Sequence, residues 1–287
     1  MKKINGITFL LPTYNEESRI NRVLEYYTKF SKVLIIDNYS TDNTCDIASS
    51  YDTEIFLFKN SGTIQTKEWF LFATELCKTD YFVLLSTSEF IPEPLIYKFE
   101  TIAISKEFDM VSNVVDTYTC GEKIPLYGGR WGFLNRKIQR FFNKHEINYN
   151  EIKIHAPFVI NNPNKVLYLG SSSKYIISHI RDSDVYSLTM KHLAYAKVES
   201  DTILLSGNNF GLCRFLKLIL KEFIRLLQVP LTSWNFVTFR EIWARIVMHS
   251  FIYYFFLEKK YNKDISYSRK MSDKLWINLS DNLFDDE

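Results

Sequence analysis

The sequence predicts an α/β protein: a mostly parallel β-sheet flanked by helices, followed by a helical C-terminal region. Three observations predict it. Short apolar runs alternate with helix-spaced segments through the first hundred residues. The residues with chemical character gather just after those runs, at Pro12–Glu17, Asp37–Asp42 and Ser86–Glu89, where parallel sheets bind ligands at the carboxyl ends of their strands. Beyond residue 205 the runs give way to long segments whose cations and apolar residues recur at helical spacing.

Each element has its own reason. Ile7–Leu11 is an apolar run stopped by Pro12 and reads as a buried strand. In 16–30, Ile20, Val23, Leu24 and Tyr27 mark one helix face. Residues 32–36 form a β-branched run that stops at Asp37, and 41–50 a short helix with Thr41 or Asp42 near its cap. A third strand is expected over 54–58 and a helix over 66–78, with Trp69, Phe70, Ala73 and Leu76 inward. Tyr81–Leu85 is the fourth strand. Further on the pattern loosens. Strands are expected over 109–115, 165–169 and 174–179, a loop over 120–132, and helices over 187–206, 209–228 and 238–259. The domain reading is 1–205 for the α/β part (1–104 and 105–205 as its halves) and 206–287 for the helical part.

Composition narrows the function classes. The 287 residues are 46% hydrophobic and 24% charged, which excludes a largely disordered chain. A net charge of +2 leaves no global nucleic-acid footprint. The charge is uneven, however. Residues 1–100 carry 10 Lys and Arg against 14 Asp and Glu, whereas 206–263 carry 9 against 3. The C-terminal part is therefore expected to meet something anionic. Cys45, Cys77, Cys120 and Cys213 are scattered without a CxxC pair, as fits reduced thiols rather than a zinc site or disulfide framework. No uncharged run reaches the roughly 18 residues of a membrane span, and a cytoplasmic protein, peripheral on the inner membrane face, is expected.

Two segments carry a family resemblance. They are Leu11-Pro12-Thr13-Tyr14-Asn15-Glu16-Glu17 and Ile36-Asp37-Asn38-Tyr39-Ser40-Thr41-Asp42-Asn43-Thr44, each following a strand. Together they resemble the nucleotide-sugar half of family 2 glycosyltransferases, with the GT-A (Rossmann-like) fold. Residues 62–69 resemble the stretch after the third strand of that family. The likeness covers residues 5–100 well and continues more weakly to about 200, nearest to the glucosyltransferases of lipopolysaccharide core assembly. It implies a nucleotide-sugar donor, probed here by Pro12, Tyr14, Glu16, Asp37, Asn38, Ser40, Lys67, Ser86, Ser88, Arg130 and His179. Tyr14 offers a flat face to a base, Asp37 an acceptor for an imide N–H, Glu16 an acceptor for ribose hydroxyls, and Lys67 a charge for the diphosphate. Asp42 reads better as a helix cap than as a ligand. No G-x-G-x-x-G follows the first strand, which argues against a dinucleotide enzyme.

Two departures from the family stand out. The fourth strand of the relatives ends in Asp-x-Asp-Glu, which holds a divalent metal. Here the residues are Ser86-Thr87-Ser88-Glu89. Hydroxyls replace carboxylates poorly around Mg²⁺ or Mn²⁺, so the ion is expected to be weakly bound at Glu89 or dispensable. The relatives also carry a His-Glu pair whose Glu is the general base. Here the segment is Lys153-Ile154-His155-Ala156-Pro157, leaving His155, Glu151 and Glu146 as candidate bases. His179 matches a His of the relatives, and Arg130, Arg136, Lys137, Arg140 and Lys144 form a basic series that reads either as a grip on a phosphorylated acceptor or as a solvated helix face.

In 210–227 the cations Arg214, Lys217, Lys221 and Arg225 make one stripe, with Phe215, Leu216, Ile219, Leu220, Phe223, Ile224 and Leu227 on the other face. That is the pattern of a helix lying on anionic lipid, or of a packed helix with a basic edge. The implied activity is sugar transfer, with inversion, to a hydroxyl of a cell-surface glycan or lipid-linked acceptor. The alternative is a protein of this fold that binds nucleotide without catalysis, since two carboxylate sites are changed.

Overall fold

The computed structural model describes residues 3–60, 65–119, 122–123, 137–152, 158–181, 185–228, 236–261 and 265–282. Its first unit is built by residues up to 123 and those from 137 to 181. The N-terminal apolar runs become strands β1 (Ile7–Thr13), β2 (Val33–Asp37), β3 (Thr53–Leu57) and β4 (Tyr81–Leu84). Helices α1 (Glu17–Tyr27), α2 (Thr44–Ser49) and α3 (Lys67–Leu76) connect them. The four strands are parallel, in the order β3-β2-β1-β4. Helices cover both faces, and β2 is therefore buried along its whole length, which is why it reads as a continuous apolar run. Successive residues of β1 feed two cores. Phe9 and Leu11 join Ile20, Leu24 and Phe99 on one face; Leu10 joins Ile36, Trp69, Phe70 and Phe82 on the other.

Beyond β4 come β5 (Glu89–Phe90), α4 (Glu93–Ser105), β6 (Met110–Thr119), β7 (Glu122–Lys123), β8 (Lys137–Asn143), β9 (Val166–Tyr168) and β10 (Ile177–Arg181). The sheet continues from β4 as β8-β6-β10-β5, with β7 and β9 also pairing with β6. Here it is mixed. β8 runs antiparallel to both β4 and β6, β10 runs parallel to β6, and β5 runs antiparallel to β10. The carboxyl ends of β1, β2, β4, β6 and β10 thus share one edge.

The solvated-helix reading of Lys137, Arg140 and Lys144 is corrected by this arrangement. Lys137 and Arg140 belong to strand β8 and Lys144 directly follows it. The helical spacing misled because β8 is bulged. Phe141 pairs with Val111 and Gln139 with Ser112, so Arg140 is the extra residue between them. Such a bulge re-aims a side chain.

The second unit begins with α5 (Val185–Leu205) and continues through α6 (Leu212–Gln228), α7 (Phe236–Lys260) and α8 (Ile265–Asn282). Ala196, Ile203, Phe210, Ile252 and Phe256 form its core. Phe215 of α6 stacks on Tyr253 of α7 with ring centroids 4.7 Å apart. The boundary read from the sequence at 205 thus differs from the division by packing, because α5 packs on α7. An amphipathic pattern shows that a helix packs but not on what.

Candidate active site

The β1–α1 and β2–α2 loops are locked into each other at the carboxyl edge of the sheet. Asn15 N–H donates to Ser40 Oγ (2.9 Å) and Thr41 N–H to Asn15 Oδ1 (2.8 Å). Glu16 N–H donates to Thr44 Oγ1 (2.7 Å), and Glu17 N–H to Asp42 Oδ2 (3.1 Å). Asn43 Nδ2 donates back to Glu17 Oε1 (2.8 Å). Asn15 and Tyr39 both adopt positive φ, at 53° and 59°, which lets each loop turn sharply. Asp42 Oδ1 accepts from Thr44 N–H (3.1 Å) and Thr44 Oγ1 (2.5 Å), the work of a helix-start residue.

Asp37 lies under this lock. It is fully buried, and its Oδ1 accepts from the hydroxyls of Thr13 (2.8 Å) and Ser40 (2.6 Å). Its Oδ2 accepts from Ser40 N–H (2.7 Å). The carboxylate expected to meet a base thus also organises the loop, and Ser40 is one of the groups that hold it. Beside it, burial first and the Asp37 charge second push the Cys45 thiol up to about 11. Glu16 is paired as well: its Oε2 accepts from Arg19 Nε (2.8 Å) and Nη2 (2.6 Å).

What the lock leaves outside is aromatic. Tyr14 is 52% exposed and Tyr39 50%, with Lys59 Nζ 5.7 Å from the Tyr39 ring centroid. Tyr39 and Lys59 were not singled out from the sequence; the positive-φ turn that exposes Tyr39 has no signature in its residue type. Asn38, half-buried, is fixed by exchange with Asn60: Asn60 N–H donates to its Oδ1 (2.7 Å) and its Nδ2 donates to Asn60 O (3.1 Å). Pro12 is half-buried at the end of β1. Lys67 starts α3 at this same edge and donates to Asn150 Oδ1 (2.6 Å).

At the end of β4, Ser86 and Ser88 bond to each other through their hydroxyls (3.0 Å). Glu89 is buried and faces Arg140, the bulge residue. Arg140 Nε donates to Glu89 Oε2 (2.5 Å) and Nη2 to Oε1 (2.7 Å). This is a bidentate pair, the strongest form of carboxylate recognition. Both Glu89 oxygens are engaged, and two serine hydroxyls are a weak donor set for a hard cation. The expectation of a metal ion at Glu89 does not fit this geometry, and no cluster of three His, Cys, Asp or Glu suited to a metal occurs among the described residues.

His179, half-buried on β10, stands in register with Glu89 of β5 and Thr117 of β6. One strand away is a carboxylate that sequence reasoning missed. Asp116 is 6% exposed. Its Oδ2 accepts from Lys123 Nζ (2.6 Å), and its Oδ1 has no hydrogen-bond partner among the described residues. Met110 of β6 and Leu84 of β4 share one core. By strand alternation Asp116 therefore points to the same sheet face as Leu84, the last residue of β4. A cavity of about 200 Å³ opens beside Ser88 and Glu89, lined by Tyr26, Tyr27, Phe90 and Ile180. Ordinary ligand pockets measure roughly 300–1,000 Å³, so this one is a subsite at most.

The candidate bases separate. Glu146 follows β8 by one turn, where Asn143 pairs with Tyr81, the first residue of β4, and Lys144 N–H donates to Asp80 O. That is the amino edge of the parallel strands, so Glu146 is corrected as a base for chemistry at the other edge. Glu151 is exposed and accepts from Asn148 Nδ2 (3.3 Å), next to the Asn150–Lys67 contact. His155, Arg130 and Arg136 lie outside the described residues.

Comparison with known proteins follows this geometry. The model of the family described as Glycosyl transferase family 2 matches residues 8–162. An uncharacterized glycosyltransferase of Mycoplasma pneumoniae is 27% identical over 146 residues, covering 46% of this chain and 48% of the relative. Another, of Rickettsia typhi, is 31% identical over 110 residues, covering 38% and 36%. The chain spans about half or less of the length of these curated relatives. Among solved structures, S. aureus TarS (residues 1–349) with UDP-GlcNAc is similar over 89% of this chain and 92% of its own, at 11% identity and a TM-score of 0.44. Glucosyl-3-phosphoglycerate synthase of Mycobacterium tuberculosis with Mn²⁺ and UDP is similar over 40% and 44%, at 17% identity and a TM-score of 0.30.

Proposed function

The chain belongs to glycosyl transferase family 2, and from that premise we propose that it transfers a sugar from a UDP-linked donor to a hydroxyl of a glycan or lipid-linked acceptor, with inversion. One observation carries the reading: two interlocked loops hold Tyr14 and Tyr39 exposed at the carboxyl edge of the sheet, with Lys59 and Lys67 on the elements that follow. Flat aromatic faces stack on a nucleobase, and lysines answer a diphosphate.

In the transfer, the acceptor oxygen bonds to the anomeric carbon as the bond from that carbon to the diphosphate breaks. The electron pair leaves on the phosphate oxygen, and the acceptor proton must pass to a base. Asp116 suits that task better than Glu146. It stands at the carboxyl edge of the sheet, one oxygen is held by Lys123, and the other is uncommitted among the described residues. His155 is the second candidate. The negative charge that develops on the leaving nucleotide falls to lysines and His179 rather than to an ion, since Glu89 is committed to Arg140.

The second reading, nucleotide binding without transfer, draws on the same Ser86, Ser88 and Glu89 arrangement. Hydrolysis and transfer assays over a panel of nucleotide sugars, each with Mn²⁺ and with EDTA, separate the two. Turnover of any donor supports transfer. Tight UDP binding with no turnover of any donor supports the second reading, and absence of nucleotide binding overturns both.

A further inference from the structure

We propose that α6 seats the protein on an anionic phospholipid surface through a specific arc of its circumference. The inference does not depend on the transferase reading. At 100° per residue, α6 divides into three sectors. Phe215, Leu218 and Ile219 lie in one sector with Glu222; Phe215 and Leu218 pack on the core of the second unit, and Glu222 is buried with its Oε1 3.3 Å from His249 Nε2. Leu212, Leu216, Leu220, Phe223, Ile224 and Leu227 lie in a second sector of about 120°, and all are 40 to 75% exposed. Arg214, Lys217 and Lys221 lie in the third, along one border of the exposed arc.

The packed sector is what α6 contributes to the core of the second unit. The exposed arc is a surplus: six large apolar side chains in an unbroken row on a 17-residue helix. Scattered exposed apolar residues need no explanation, but a contiguous row does. The charge beside it selects the occupant. Three cations, Arg214, Lys217 and Lys221, border the arc, while the one acid of the helix, Glu222, is turned inward. A second copy docking antiparallel on this arc by a two-fold axis would bring the same cations together. An anionic lipid surface receives both features at once, apolar side chains below the headgroups and cations among them. No helix among the described residues is long and apolar enough to cross a membrane, so the contact is with the surface.

The test uses the full chain and vesicles of phosphatidylcholine with or without phosphatidylglycerol, scored by co-sedimentation. The wild type should pellet with the anionic vesicles at low salt and be released as salt is raised. Leu216→Glu with Leu220→Glu should lower that binding at least tenfold, and Arg214→Glu with Lys217→Glu should abolish the preference for anionic lipid. All four side chains are exposed, so circular dichroism should show the fold intact. Cys213 is exposed within the arc, between Leu220 and Ile224 around the helix, and a polarity-sensitive fluorophore there should shift to the blue on anionic vesicles with all six apolar side chains kept. Wild-type protein that stays in the supernatant overturns the proposal. So does a Leu216→Glu/Leu220→Glu variant that pellets like wild type, or a label that does not shift. A dimer in sedimentation equilibrium that the same variant dissolves would assign the arc to a second copy and overturn it equally.

Discussion

Asp37 accepts three hydrogen bonds from Thr13 and Ser40 while fully buried, so its removal acts on stability before it acts on binding. Asp37→Ala leaves those donors without a partner, and each bond to a charged group is worth about 1.5–3 kcal/mol. A loss of about 3 kcal/mol is expected in urea denaturation, and an unchanged midpoint would refute the structural role. Tyr14→Ala and Tyr39→Ala should behave oppositely. Both rings are exposed, so stability should hold, while UDP affinity measured by calorimetry should fall by about 1–3 kcal/mol for a lost stacking partner. Asp42 adds a pH dependence. Burial raises its pKa, but the Thr44 hydroxyl and the amides of Glu17 and Thr44 together outweigh that and lower it. A lowered folded value contributes stability that is complete above the unfolded value of about 3.9 and lost as pH falls through the folded one. Asp42→Asn should therefore flatten the acid side of the stability profile. The chemistry-bearing residues at the strand ends were legible in the sequence. Which carboxylate is consumed by its own loop was not, because that depends on Tyr39 turning back at positive φ so that Ser40 meets Asp37.

Strand β8 decides what happens at the end of β4. Its bulge delivers Arg140 to Glu89, and the two side chains are 16% and 5% exposed. Breaking a buried pair by removing one partner costs about 3–5 kcal/mol, whereas replacing both by apolar groups is often neutral. Arg140→Met should thus be strongly destabilising, and Glu89→Leu in the same chain should restore most of the loss. UDP affinity of the wild type should be the same in EDTA and in Mn²⁺; a marked rise with Mn²⁺ would show that the pair opens to admit an ion. On β6, Asp116→Asn should leave UDP binding intact and slow transfer by about 10²–10⁴, the ordinary contribution of a general base. β1, β2 and β4 could be read from sequence because parallel strands buried on both faces are plain apolar runs, and β3, the half-buried edge strand, from its short β-branched and aromatic run. β8 could not: it is an exposed-to-buried antiparallel strand whose cations, spread by a bulge, imitate helical spacing. α4 likewise went unread, although Leu95, Ile96, Phe99 and Ile102 line its buried face, since Pro92 and Pro94 at its start resemble a loop.

Two units divide the whole molecule's stability. The sheet unit buries its apolar residues in clusters on its two faces, and the helical unit buries a separate one around Ala196, Phe210 and Phe256. Two-state unfolding is a property of single domains, so two cooperative transitions are expected, resolved by following far-ultraviolet dichroism against the fluorescence of a variant that keeps Trp69, buried in the sheet unit, as its one tryptophan, the other four being replaced by Phe. The nucleotide should act on only one of them. A ligand that binds the native state alone stabilises it by about 2.7 kcal/mol at a hundred times its dissociation constant. The proposed UDP contacts all belong to the sheet unit, from Tyr14 and Tyr39 to Lys67. Saturating UDP should therefore raise the sheet-unit transition and leave the helical one where it was. Phosphatidylglycerol vesicles should do the reverse, because α6 belongs to the helical unit. A single transition that moves as one with UDP would mean that the two units unfold together. In that case the division of labour between a nucleotide-binding sheet and a lipid-facing helical unit would have no thermodynamic counterpart.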